Sequence, residues 1–375
     1  MEPSRVSANV GRADPVDTDA LARLRLIRTR SVGPVSYFQL LARFGTAQAA
    51  LDAIPDLARR GGGKVPYIPS QADMEREVEA VMRIGGRYLF AGRAHYPALL
   101  AETDGAPPAL IAIGDPALFD RPLVALVGAR NASAAAIRFA RQLAHDLSRL
   151  GYVVVSGLAR GIDTAAHQGA LEAGTIGVVA GGPDIFYPPE NEPLQREMGK
   201  RGLVLTEQPP GTEPHARHFP SRNRIIAGLA QGTIVVEAAP KSGSLITARL
   251  AADYGREVMA VPGSPLDPRA QGCNQLIRDG AILIQSASDI QESLRPFGRD
   301  HIAAPRATYL SEVAKGDVAD RERSTLMGLL SPSPVAIDEL VRLSGLSPAA
   351  VHTILLELEL AGRLARHAGA RVSLD

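Results

Sequence analysis

From Leu123 onward the chain alternates short apolar runs with amphipathic stretches, and this alternation leaves few architectures open to it. Residues 123–127 are continuously apolar, as in a strand buried on both faces. A helical pattern follows, with Ile137, Ala140, Leu143, Leu147 and Leu150 on one face and Gly151 as its stop. Further strands are expected at residues 152–155, 175–180, 203–207, 233–237, 257–261 and 281–284. Helical patterns at 163–173, 222–230 and 245–254 fill gaps between them. Repeated strand–helix units predict an α/β fold with a doubly wound, mostly parallel sheet, whose ligands gather at the carboxyl ends of the strands.

The chain has 375 residues, enough for two or three domains, and its flanks read differently from its centre. Residues 1–18 have the scattered Pro, Asp, Ser and Arg of a disordered leader. A small helical domain with its connection is expected over 19–110. Leu21, Leu24 and Ile27 mark one helix, and Tyr37, Leu40, Leu41 and Phe44 a second that stops at Gly45. A short helix at 47–51 precedes Pro55, and Gly61-Gly62-Gly63 reads as a flexible joint. The Ser31-Val32-Gly33-Pro34 break resembles the turn of a helix-hairpin-helix, which serves either packing or a DNA phosphate. One helix is expected at 72–84. The α/β domain is assigned to 111–298 and a linker to 299–318. A winged-helix-like unit is expected over 319–375, with helices at 322–330, 337–344 and 348–361 and a terminal ribbon at 365–374.

Composition excludes several classes. Lys+Arg is 41 against Asp+Glu 40, so no global charge marks a nucleic-acid coat. A single cysteine, Cys273, excludes an internal disulfide and any multi-cysteine metal site. No apolar run approaches 18 residues and the N-terminus lacks a signal-peptide core, so a cytoplasmic protein without membrane contact is expected. No metal and no cofactor is expected.

Chemistry concentrates in loops that follow strands. Val127-Gly128-Ala129-Arg130, Ser156-Gly157-Leu158-Ala159-Arg160-Gly161 and Ala180-Gly181-Gly182 bring glycine to strand ends, where it serves either a tight turn or close approach of an anion. The dinucleotide fingerprint is absent, and the Gly157/Gly161 spacing lacks the Lys-Ser/Thr of a nucleotide P-loop. Arg222, Asn223 and Arg224 are expected in the first turn of a helix, where cations oppose the macrodipole unless an external anion compensates. With Arg130, Arg160 and Arg217 they would line one basic pocket. Lys241-Ser242-Gly243-Ser244 opens a further helix. Residues 121–170 carry six arginines against two aspartates, a local excess that suits a phosphate-rich ligand. No catalytic constellation emerges. Asp163 and His167, four apart, fit a helix-stabilising contact, and Ser156 lies in no nucleophile elbow. Phe186, Tyr187 and Phe219 are either stacking platforms or core plugs.

In these loops the sequence resembles the DNA-processing protein A (DprA/Smf) family. The resemblance is carried by Val-Gly-Ala-Arg at 127–130, Ser-Gly-Leu-Ala-Arg-Gly-Ile-Asp-Thr-Ala-Ala-His at 156–167 and Tyr-Pro-Pro-Glu-Asn at 187–191. It continues through Phe-Pro-Ser-Arg-Asn-Arg-Ile-Ile-Ala-Gly-Leu at 219–229, Ser-Gly-Ser-Leu-Ile-Thr-Ala at 242–248 and Ala-Val-Pro-Gly at 260–263. It implies a Rossmann-like domain between a SAM-like helical domain and a winged-helix-like domain.

The resemblance further implies a non-catalytic protein that binds single-stranded DNA, with duplex bound more weakly. Such a protein protects incoming strands in natural transformation and helps load a RecA-type recombinase. A homodimer through the Rossmann-like domain is implied, with the region 272–283 as its surface. The implied DNA contacts are Arg130, the loop Ser156, Gly157, Leu158, Ala159, Arg160 and Gly161, then Arg217, Arg222, Asn223, Arg224, Lys241, Ser242, Gly243 and Ser244. Some family members carry a lysine just before Phe-Pro-x-Arg-Asn; here Arg217 takes that role provisionally. The alternative is a nucleotide-hydrolysing enzyme of the LOG type on a similar scaffold, against which stands Lys-Ser-Gly-Ser-Leu-Ile-Thr in place of a Pro-Gly-Gly-x-Gly-Thr loop.

Overall fold

Four helices open the chain in the computed structural model, which describes residues 16–294, 318–367 and 369–375. They are α1 (Thr18–Arg28), α2 (Pro34–Phe44), α3 (Ala47–Arg60) and α4 (Gln71–Arg83). Asp17, Thr46 and Ser70 cap α1, α3 and α4 by accepting from backbone N–H groups of the first turn. β1 (Gly86–Phe90), α5 (Ala98–Ala101) and β2 (Ala109–Gly114) follow. The alternating region then runs β3 (Leu123–Gly128), α6 (Ala134–Arg149), β4 (Val153–Ser156), α7 (Ile162–Ala170), β5 (Thr175–Val178), α8 (Glu192–Arg201) and β6 (Leu203–Thr206). It continues with α9 (His218–Leu229), β7 (Gly232–Val236), α10 (Gly243–Asp253), β8 (Glu257–Ala260), α11 (Gln271–Arg278), β9 (Ile282–Leu283) and α12 (Ala287–Leu294).

These nine strands form one sheet in the order β1-β2-β6-β5-β4-β3-β7-β8-β9. From β6 to β9 every pair is parallel, while β1 and β2 join antiparallel. The chain winds from β3 outward through β4, β5 and β6, then restarts on the other side of β3 with β7. The switch point therefore lies between β3 and β7, which pair in register through Val127 and Val235. Leu126, Val154 and Ile234 are fully buried under α6 and α7 on one face. Ala125, Val155 and Val235 are buried under α9 and α10 on the other. Strands covered on both faces explain the unbroken apolar runs.

The last unit comprises α13 (Asp320–Met327), β10 (Val335–Ala336), α14 (Ile337–Ser344), α15 (Pro348–Leu360), β11 (Leu364–His367) and β12 (Arg371–Leu374). Its three strands form a separate small sheet in the order β10-β12-β11, giving a winged helix. One side of α15 (Val351, Ile354, Leu355, Leu358) fills the core of this unit. Leu356 and Leu360, on another side, are buried with Tyr37, Leu40 and Leu57 in the core of the N-terminal helices.

Several expectations are corrected. The helix expected to end near residue 51 runs through Pro55 to Arg60, because its apolar stripe (Ala50, Leu51, Ile54, Leu57, Ala58) is fully engaged and offsets one missing N–H. Gly61 and Gly63 are not a flexible joint. A Cβ on Gly61 would lie 2.1 Å from the Glu357 carbonyl oxygen, and one on Gly63 2.2 Å from that of Ala361, so both glycines admit α15 at backbone distance. β1 and β2, in the segment read as connection, belong to the large sheet. Most of the expected leader (1–18) and linker (299–318) lies outside the described residues.

Candidate functional site

A cavity of about 820 Å³ opens at the switch point between β3 and β7. Its walls come from three strand-to-helix loops. Gly128 ends β3, and Ala129 and Arg130 follow it; Ala159 belongs to the loop after β4, and Lys241 and Ser242 lead into Gly243 and Ser244 of α10. Phe219, Arg222 and Asn223 of α9 form the floor. Arg130, Ala159, Phe219 and Arg222 also line a smaller space of about 50 Å³ with Gly157, Arg160 and Tyr187, so the two share a wall.

Arg130 is exposed, with its guanidinium 5.2 Å from the centre of the Phe219 ring. Tyr187 lies 5.7 Å from the same ring and is 50% exposed. A cation over one ring with a second, open ring beside it can hold a phosphate and a flat base together. Lys241 is exposed at the opposite wall. Ser242 caps α10, its hydroxyl 2.7 Å from that of Ser244, and Asn223 Nδ2 donates to the Gly243 carbonyl at 3.3 Å. The α10 N-terminus thus faces the cavity with its dipole favouring an anion.

The arginines of α9 behave differently from expectation. The helix begins at His218, because Pro220 in its first turn forfeits an N–H that has no helical acceptor there. Arg222, Asn223 and Arg224 therefore sit in its second turn, and internal carboxylates rather than an external anion balance the two arginines. Arg222 is 6% exposed, lies 3.9 Å from Asp163 Oδ2, and leaves its Nε without a hydrogen-bond partner. It lies so close to Gly157 that a Cβ there would meet its Nη1 at 1.3 Å, so a side chain at 157 would have to displace it. Arg224 turns away from the cavity, donating to Glu207 and to the Gly105 carbonyl. Ser156 is buried and donates to the Leu126 carbonyl at 2.6 Å, so its hydroxyl is not offered to a ligand. Leu158 is a buried side chain in a left-handed conformation, and Gly161 lies where a Cβ would meet the Ala129 carbonyl at 2.3 Å. Arg160 pairs with Glu190 at the rim. Arg217 is exposed at the start of α9, outside the residues lining either space.

Asp163 and His167 do not touch as a helix pair. The Asp163 carboxylate accepts from Gly157 N at 3.2 Å and Ala159 N at 3.3 Å, which fixes the loop after β4. Burial raises its pKa against the opposing pull of Arg222, and burial likewise lowers that of Arg222. His167 Nδ1 lies 2.9 Å from Thr175 Oγ1, whose own proton goes to the Val154 carbonyl, so Nδ1 is the protonated nitrogen. Burial first, then Arg222, pushes His167 down to about 3. A neutral histidine that must charge on unfolding stabilises the fold above its unfolded pKa and loses that contribution as pH falls from about 6.5 towards 3. Stability is therefore expected to fall by about 2 kcal/mol between pH 7 and pH 5 through this group. Urea titrations of wild type and His167→Gln would show it as a slope lost in the variant.

Sequence reasoning missed Glu237, Arg269, which also lines the cavity, and the loop-bracing role of Asp163. Glu237 had no local signal, since its partner Ser133 is 104 positions away. Among the described residues, no group of three or more His, Cys, Asp or Glu side chains could hold a metal, and no helix is long and apolar enough to cross a membrane.

The fold and site define a protein with a Rossmann-like domain that opens a basic, anion-directed crevice at its switch point, preceded in the chain by a helical unit and followed by a winged helix. Comparison with known proteins makes this specific. Residues 87–295 match the family model described as DNA recombination-mediator protein A. Residues 17–80 match a DprA-like N-terminal HHH domain, and 311–370 a DprA winged helix domain. The chain belongs to the DNA processing protein A (DprA/Smf) family. It is 34% identical to protein Smf of Synechocystis over 383 residues, covering 92% of this chain and 96% of that protein. It is 47% identical to DNA processing protein DprA of Streptococcus pneumoniae over 197 residues, 52% and 70% of the two chains. The Streptococcus pneumoniae structure superposes with a TM-score of 0.63 at 32% identity, covering 74% of this chain and 97% of that one. A Helicobacter pylori structure described in terms of its single-stranded DNA binding mode gives 0.51 at 30% identity, covering 55% and 95%.

Proposed function

We propose that this protein binds single-stranded DNA in the switch-point crevice, without catalysis, and delivers the strand to a RecA-type recombinase as a homodimer in the cytoplasm. The observation that carries the reading is the exposed Arg130 guanidinium over Phe219 with Tyr187 alongside, facing Lys241 and the α10 N-terminus across one cavity. The Helicobacter pylori relative supports single strands as the ligand. Phosphates would be held by Arg130, Lys241 and the backbone N–H of Gly243, beside the Ser242 and Ser244 hydroxyls, with Arg160 and Arg217 at the rim. Arg222 and Asn223 shape the floor, and Arg224 braces the domain rather than meeting DNA. For the dimer, the exposed Leu266 and Leu283 around α11 and β9 offer an apolar edge to a second copy.

The test is binding of labelled single-stranded and duplex DNA of equal length across a salt series. Single-strand preference is expected, with log K falling against log salt at a slope of about −2 to −3, as for three or four neutralised phosphates. Absence of binding at low salt would overturn the reading.

A further inference from the structure

A doubly wound sheet ordinarily receives an anionic ligand at its switch point, on the N-terminus of the helix that follows the first strand. In this chain that helix is α6, and its N-cap residue is already engaged. Glu237, the residue after β7, crosses the switch point to accept from Ser133 N at 2.8 Å and from Ser133 Oγ at 2.6 Å. Because the Ser133 proton goes to Glu237, the hydroxyl lone pair is left for Ala136 N at 3.1 Å, the bond that caps α6. The backbone of Glu237 is left-handed, with φ of +50°, a conformation that glycine would adopt freely and glutamate does not. Such strain persists only where the surroundings hold the residue in place. The loop after β4 repeats the arrangement, since the Asp163 carboxylate takes the N–H groups of Gly157 and Ala159. At the α10 N-terminus the serine cap is braced by a second hydroxyl instead: Ser242 Oγ accepts from Ser244 N at 3.4 Å and lies 2.7 Å from Ser244 Oγ, and Lys241 stands beside them.

We propose that Glu237 is a specificity-determining residue whose carboxylate occupies the phosphate position at the α6 N-cap and so denies that side of the switch point to free mononucleotides. A terminal phosphomonoester carries nearly two negative charges at neutral pH, whereas a phosphodiester carries one. The fixed carboxylate repels the first more strongly and leaves the α10 side of the crevice to a continuous strand. The single-strand half of this statement rests on the function proposed above; the exclusion of mononucleotides does not.

The experiment titrates the full-length wild type, Glu237→Gln and Glu237→Gly with a fluorescent deoxyadenosine monophosphate, and separately with a labelled single strand. Glycine removes both the carboxylate and the strain; glutamine keeps the size and removes the charge. Glu237→Gly is expected to bind the monophosphate about tenfold or more tightly than wild type, Glu237→Gln to gain less, and both to keep single-strand affinity within about threefold. Unchanged monophosphate binding in both folded variants, or wild type already binding it as tightly as they do, overturns the proposal. A Glu237→Gly protein that fails to fold leaves the decision to Glu237→Gln. Wild type that ignores single strands sinks the proposed function, while the monophosphate comparison still decides the role of Glu237.

Discussion

Arg130→Glu is expected to weaken single-stranded DNA binding by about 30-fold or more while leaving thermal unfolding close to wild type. The side chain is exposed and makes no ion pair with a described carboxylate, so reversing its charge strands no buried partner. What is lost is a cation held over Phe219 at the mouth of the crevice, and a carboxylate placed there repels the phosphate it formerly held. Fluorescence anisotropy at moderate salt, with calorimetry on the same protein, separates the two effects. Affinity within about threefold of wild type would remove Arg130 from the interface.

Arg224→Glu provides the contrast, because it is expected to fail in the other direction. Arg224 and Glu207 form a pair whose side chains are each 17% exposed, and burial raises the Glu207 pKa. The same arginine donates to the Gly105 carbonyl, and Arg28 of α1 donates to the Glu207 carbonyl at 3.1 Å. This cluster fastens the N-terminal helices and the loop before β2 to the α/β domain. Breaking a buried pair from one side costs about 3–5 kcal/mol, so a lost DNA signal in this variant would report unfolding rather than contact.

The contrast between Arg130 and Arg224 also marks how far the sequence could be read. Continuous apolar runs such as residues 123–127 announced strands covered on both faces, and a run of that kind has no other stable home. Loops that follow such strands point to one edge of the sheet, so the sequence alone brings Arg130, Gly157 and Lys241 to one place. Side-chain direction on a helix was beyond reach. Arg222 and Arg224 are two residues apart and so face different sides of α9, and their partners Asp163 and Glu207 come from other loops. β1 is hidden because an edge strand of mixed composition, Gly-Arg-Tyr-Leu-Phe, lacks the unbroken apolar signature, whereas β2 (Ala-Leu-Ile-Ala-Ile-Gly), paired on both sides, carries that signature and was legible. Gly61-Gly62-Gly63 looked like a joint because close approach and flexibility use the same residue, and only the position of α15 distinguishes them.

Gly61→Val is expected to separate the winged helix from the N-terminal helices without giving it affinity for duplex DNA. The new side chain would meet backbone, the Glu357 carbonyl and carbon, which cannot yield as a flexible side chain would. Overpacking of this kind costs about 3 kcal/mol. It acts on a seam where Leu356 and Leu360 are each 1% exposed and Arg363 donates to the Gly61 carbonyl at 3.1 Å. Calorimetry should show a lower first transition, and hydrogen exchange should rise in both α3 and α15. The third helix of a DNA-reading winged helix offers polar side chains to base edges. Here the surface released from the seam is Leu356 and Leu360, with Glu357 paired to Arg323 at 2.7 Å and Glu359 to Arg366 at 2.7 Å. An apolar stripe edged with ion-paired carboxylates offers duplex phosphates no free cation, so duplex affinity should stay within about twofold of wild type. A tenfold gain would instead show that docking restrains a helix able to engage DNA, and that the seam regulates it.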